Sequence, residues 1–176
     1  GDEDAKPIIR AALERIGPDP TPTRSRLLAK LSVAHNASTG PFERHSAALE
    51  AVEAARQAGD DRTFIDVIEG THLTLATPDR RDRHLADIEQ AVTSADRLDD
   101  PLLRARVRYP AMWARYQLAD LAGADATLGE YQALVDLFGA ALPRLATRPV
   151  HRRSAPPRRA DRRSGGGDRA PVGTRH

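Results

Sequence analysis

The feature that most limits what this chain can fold into is its apolar spacing. Between residues 1 and 145 it runs in steps of three and four, with no sustained alternation of two. Such spacing lines one face of a helix, so an all-α body of about seven helices is expected. The first runs from about Ala5 to Ile16, with Pro7 in its first turn and Gly17-Pro18 as its stop. The second, about Thr23 to Ala37, carries Leu27, Leu28, Leu31 and Ala34 on one face and ends at Ser38-Thr39-Gly40-Pro41. The third spans Pro41 to Ala58 with Phe42, Leu49, Val52 and Ala55 as its stripe and Gly59 as a left-handed cap. The fourth, Asp61 to Ala76, buries Phe64, Val67, Ile68 and Leu75. Pro78 opens the fifth, whose stripe is Leu85, Ile88, Val92 and Ala95. The sixth starts at Asp100-Pro101 and keeps Leu103, Val107, Ala111, Ala114, Leu118 and Leu121 in register, with a kink at Pro110. The seventh, about Ala124 to Leu142, repeats the pattern with Leu128, Tyr131, Val135, Phe138 and Leu142.

Short turns between helices of similar length favour antiparallel neighbours, and "AARQAGDDRTF" at 54–64 is echoed forty residues later by "SADRLDDPLL" at 94–103. That offset suits antiparallel hairpins stacked as a tetratricopeptide-like right-handed solenoid, each unit burying its face against the next. In such a stack Leu128, Tyr131, Val135 and Phe138 are expected to be less covered than the central faces. Two copies could pair through that last helix.

Charge divides the chain. Residues 1–145 hold 18 basic and 23 acidic side chains, a net of −5, while 146–176 hold nine and two, a net of +7. Two domains are read accordingly: a helical body at 1–145 and an Arg/Pro/Gly-rich tail at 146–176. The tail is expected to be disordered, because its apolar content cannot offset the cost of ordering. It has the charge for weak, non-specific contact with nucleic acid, and a small nucleic-acid-associated protein is the alternative reading of the whole chain. It lacks aromatics for stacking bases and any helical period for entering a groove. A third reading fits better. Only Lys6 and Lys30 are lysines among 27 basic residues, a usage expected of a GC-rich gene, and high-GC coding sequence read out of frame yields strings of Arg, Ala, Pro and Gly. Gly1 opens the chain and Met112 is its sole methionine, so the sequence is expected to begin inside a longer reading frame or after a processed end.

No residue pattern points to catalysis, a cofactor or a metal, and the expectation is a non-enzymatic protein. Cysteine is absent, which excludes disulfides and thiolate metal sites. No phosphate loop ending in Lys-Ser/Thr is present, and "SGGGD" at 164–168 lacks both the lysine and a following helix. Asp79, Asp82 and His84 form the closest metal-like grouping, but a solvated first helical turn explains them better. His72 sits at helical steps from Ile68 and Leu75, as a hydrogen-bonded histidine between packed helices would. Tyr109, Met112, Trp113 and Tyr116 cluster on helix six. In a chain with 4% aromatics packing is the first expectation for them, and a ligand surface shared with Tyr131 and Phe138 the second. "NAS" at 36–38 fits a glycosylation sequon. No apolar run approaches the ~20 residues of a membrane helix and no signal peptide opens the chain, so a cytoplasmic protein without membrane contact is expected.

The run from His72 to Gly123, with "ALEAVEAARQAGDDRTF", the His72 to Pro78-Asp79 step, Arg83, "DDPLLRAR" and "LADLAGAD", resembles the tetratricopeptide-like C-terminal half of large LuxR-type ATPase transcriptional regulators of high-GC bacteria. Related regions occur in adenylate cyclase–ATPase fusions. The resemblance covers about Arg24 to Leu145 and implies a helical-repeat scaffold that binds a protein partner or small effector. The family's Walker lysine, cyclase aspartates and helix-turn-helix have no counterpart at any position here.

If the tail is a frame change, translating the gene's other two frames past the codon for Leu145 restores Leu, Ala and aromatic residues at three- and four-residue steps. Stop codons or noise in both frames would revive the basic arm.

Overall fold

The structure, a computed structural model, describes the backbone of residues 2–35 and 40–146 and the side chains of 5–35 and 40–139. The tail beyond Ala146 and the sequon at 36–38 lie outside the described residues. Among those described there are seven α-helices, one short 3-10 turn and no strand. The helices are α1 (Asp2–Ile16), α2 (Pro22–Ala34), α3 (Pro41–Ala58), α4 (Asp61–Leu75), α5 (Arg81–Leu98), α6 (Pro101–Gln117) and α7 (Leu121–Ala146). None is long and apolar enough to cross a membrane.

Each helix packs on the next in sequence, and in addition α2 touches α4 and α4 touches α6. The even helices therefore lie side by side. What lets neighbouring helices approach is a core of small residues. Ala48, Ala51 and Ala55 on α3, Ala91 and Ala95 on α5, and Ala111 and Ala114 on α6 are all buried. The bulk between them comes from Ile65, Val67, Ile68, Leu75, Ile88 and Val107. Buried hydroxyls at the same seams bond back onto their own helices: Ser25 to the Thr21 carbonyl at 2.9 Å, Ser32 to Ala29 at 2.8 Å and Thr71 to Val67 at 2.7 Å. They bring no unpaired polar group into the core.

The caps explain where helices begin and stop. Gly59 ends α3 at φ 66 and Asp99 ends α5 at φ 51, both left-handed. In the next position Asp60 accepts from the Thr63 amide, and Asp100 from those of Leu102 and Leu103. Several sequence expectations are corrected here. Helix two stops at Ala34 because His35 turns extended. The fifth helix proper starts at Arg81, after Pro78–Arg80 has formed a 3-10 turn. Helix six does not reach Leu121. It ends at Gln117, Ala119 takes φ 59, and Asp120 accepts from the Gly123 amide at 3.0 Å to start α7 at Leu121. A Cβ on Gly123 would stand 2.1 Å from that carboxylate, so any other residue there would push the Asp120 side chain out of this position. Phe42 is not on the core stripe either. It is 80% exposed, since it shares the row of His45 and Leu49 rather than that of Ala48, Ala51 and Ala55.

His84, expected in a solvated turn, is 4% exposed. Burial first, then repulsion from His72 and Arg80, lowers its pKa from 6.5 to about 4. The neutral imidazole is thus the folded form. Above pH 6.5 folded and unfolded chains agree in its charge; as pH falls toward 4 the unfolded chain takes up a proton that the folded one refuses, and stability drops by up to about 3 kcal/mol. Asp60, held low by the Thr63 hydroxyl, and Asp100, held low by the Leu103 amide, add their losses only at lower pH. Urea midpoints should therefore fall between pH 6.5 and 4 in the native chain, and the fall should flatten in His84→Leu.

Candidate functional site

The side-by-side arrangement of α2, α4 and α6 leaves a groove of about 800 Å³ along them, closed on one side by α7. Helical spacing selects its lining. From α2 come Arg26, Ala29, Lys30 and Val33; from α4 Asp66, Glu69 and Gly70; from α6 Leu102, Arg106, Tyr109 and Pro110. Tyr131, Val135 and Phe138 form the α7 wall. Gly70 lies on the floor where α2 passes, and a Cβ there would meet that of Ala29 in ordinary contact at 3.8 Å.

Across the floor runs a ladder of alternating charge. Arg26 Nε bonds Asp66 at 2.9 Å, Arg106 reaches the other oxygen of Asp66 at 3.0 Å, and Arg106 Nε bonds Glu69 at 2.8 Å. Glu69 first, then Asp66, raises the Arg106 pKa against the cost of burial. The cations of the floor are thus largely consumed by its own acids. Above the ladder the groove is aromatic and apolar: Tyr109 meets Tyr131 at 6.4 Å and His72 edge-on at 6.3 Å. His72 Nδ1 donates to the Glu69 carbonyl at 2.7 Å, which leaves Nε2 as the other polar atom of the ring. That atom is buried and has no hydrogen-bond partner among the described residues.

The six candidate surface residues divide into two places. Tyr109, Tyr131 and Phe138 share the groove, whereas Met112, Trp113 and Tyr116 line a separate pocket against the start of α7. The expectation that the helix-six aromatics are core is corrected: Tyr109 is 45%, Trp113 40% and Tyr116 61% exposed. The reason is rotational. Val107, Pro110, Ala111 and Ala114 occupy the core face of α6, and a row displaced by two residues lies some 200° around the helix. Leu128 and Val135 are exposed as well, in line with the expected thinner cover of the last helix, while Tyr131 and Phe138 are half-buried. Asp79 and Asp82 face solvent while His84 is buried, so that grouping does not converge, and no metal-holding cluster occurs among the described residues. Reading residue by residue missed Arg26, Asp66, Glu69 and Arg106. The signal was the forty-residue offset, which carries position 26 to 66 and 66 to 106.

No known family model, curated protein or solved structure matches this chain.

Asp66 is the one acid that both Arg26 and Arg106 share. Asp66→Ala should cost roughly 1 kcal/mol, at the upper end for a partly exposed network, and the loss should shrink in high salt. Chemical denaturation at two ionic strengths reads both effects.

Proposed function

We propose that this chain is a non-enzymatic interaction module, built as tetratricopeptide-like hairpins stacked in a right-handed solenoid, whose groove holds a protein segment or a small effector. Helix starts at Pro22, Pro41, Asp61, Arg81, Pro101 and Leu121 fall about twenty residues apart, as alternating helices of a repeat do. The cap pairs Gly59-Asp60 and Asp99-Asp100 are forty apart. The observation that carries the reading is the ladder itself: residues 26, 66 and 106, spaced by the same forty, meet under one continuous groove. Its volume lies in the ~300–1,000 Å³ range of sites that enclose a ligand. Internally paired charges with apolar walls favour recognition by shape and aromatic contact over binding of a strongly charged group. The sequence marks between His72 and Gly123 support placing the module in a LuxR-type or related signal-transducing ATPase regulator, where helical repeats receive the signal.

The test is photocrosslinking. With p-benzoylphenylalanine at Val33 or Leu102, both exposed in the groove, adducts identified by mass spectrometry should recur at the two positions and be absent with the probe at Phe42, exposed outside it. The same adducts at all three positions would sink the reading.

A further inference from the structure

The pocket between α6 and the start of α7 measures about 180 Å³ and is walled by Met112, Trp113, Tyr116, Ala124, Asp125 and Leu128. That is below the range of sites that enclose a whole small molecule and suits one long side chain. Its walls are apolar and aromatic, with the Trp113 and Tyr116 rings 6.2 Å apart at 69°. Its rim carries one carboxylate, Asp125, which is exposed and makes no hydrogen bond or ion pair with any described residue. The arginines of α6 are engaged elsewhere: Arg104 with Asp96 and Asp99, Arg106 with Asp66 and Glu69, Arg108 with Asp96 and Glu130, and Arg115 with Glu89. Along residues 121–139 α7 carries Asp125, Glu130 and Asp136 and no lysine or arginine.

We propose that this pocket receives an arginine or lysine side chain from a helix of a partner protein lying along α7. Two aromatic rings beside a carboxylate without a partner among the described residues attract a cation through ring quadrupole and charge together, and the same chain already stacks Arg56 over Phe64 at 5.9 Å. The neighbouring face of α7 shows what shape the partner takes. Leu128 and Val135 are 45% and 36% exposed, whereas the residues forty earlier, Ile88 and Ala95, and eighty earlier, Ala48 and Ala55, are at 1% or less, covered by neighbouring helices. An amphipathic helix supplies such cover, and basic residues on it face Asp125 and Asp136. The helical form of the partner rests on the stacked-hairpin reading; the cationic side chain does not.

Trp113 is the only tryptophan of the chain, so its emission reports the pocket directly. The full chain is titrated with an amidated helical peptide of alanine, leucine and arginine, with its glutamate-for-arginine counterpart, and with a version broken by central prolines. Saturable change of Trp113 emission is expected with the first. Affinity should fall about tenfold in Asp125→Asn and in about 0.5 M salt, with Val33→Ala in the larger groove leaving it unchanged. Equal binding of the glutamate peptide, or indifference to Asp125→Asn, overturns the proposal. So does a salt-induced emission change in the chain alone without peptide binding, which would put the chain's own arginines in the pocket. Equal binding of the proline-broken peptide removes the helical partner and the repeat reading behind it, while leaving the cationic pocket standing.

Discussion

Everything else in this protein depends on how closely α3 and α5 approach their neighbours, and that distance is set by alanine. A face made of Ala48, Ala51 and Ala55 or of Ala91 and Ala95 offers little apolar area per residue, so its stabilisation comes from proximity: backbones draw together and the branched side chains of α4 fill the remaining space. Close approach leaves no room for large residues at these seams. The few aromatics are displaced outward, with Phe64 the exception that remains buried. The surface of α6 is therefore aromatic because the core is not.

A core held by small residues needs lateral restraint, and buried or half-buried charge supplies it. Asp87, 3% exposed, lies within 2.8 Å of Arg56 on α3, with Arg83 at 3.3 Å and Arg80 at 3.8 Å. One carboxylate thus ties α3, α5 and the turn before α5. Removing it would leave several cations together, which is costlier than the pair itself is stabilising. On the other side Arg26, Asp66, Arg106 and Glu69 tie α2, α4 and α6 by the same logic. These two networks fix the order of the helices, a task that a smooth alanine seam performs poorly because it tolerates sliding.

The helix count, the α3 boundaries and the cap at Gly59 were legible because each rests on a local rule: apolar steps, a proline at the first turn, a glycine at the end. What could not be read locally was the phase of each face. Tyr109, Trp113 and Tyr116 form as regular a row as Val107, Ala111 and Ala114, and size favoured the wrong one, since alanine carries a weak hydrophobic signal even where it is buried. Phe42 misled for the same reason. The break at Leu118–Asp120 was hidden because Leu118 and Leu121 continue the apolar step through it, and only the Asp120–Gly123 contact, a three-dimensional fit, reveals the stop. His84 was misplaced by its charged neighbours, which face solvent while the imidazole turns inward.

These phases determine what the two surfaces of α6 and α7 present. In the groove, every cation on the floor except Lys30 has its acid within the groove itself, so a charged ligand would have to break the ladder and repeat its cost of desolvation. Shape and ring contact are what the groove offers instead. At the start of α7 the balance is reversed: the carboxylate has no partner among the described residues, the rings are open, and the cavity is narrow. One helix pair therefore carries a broad surface that is electrostatically satisfied and a narrow one that is not. Because α6 and α7 pack directly on each other, the two surfaces share one helix seam and differ in charge balance and width rather than in what holds them.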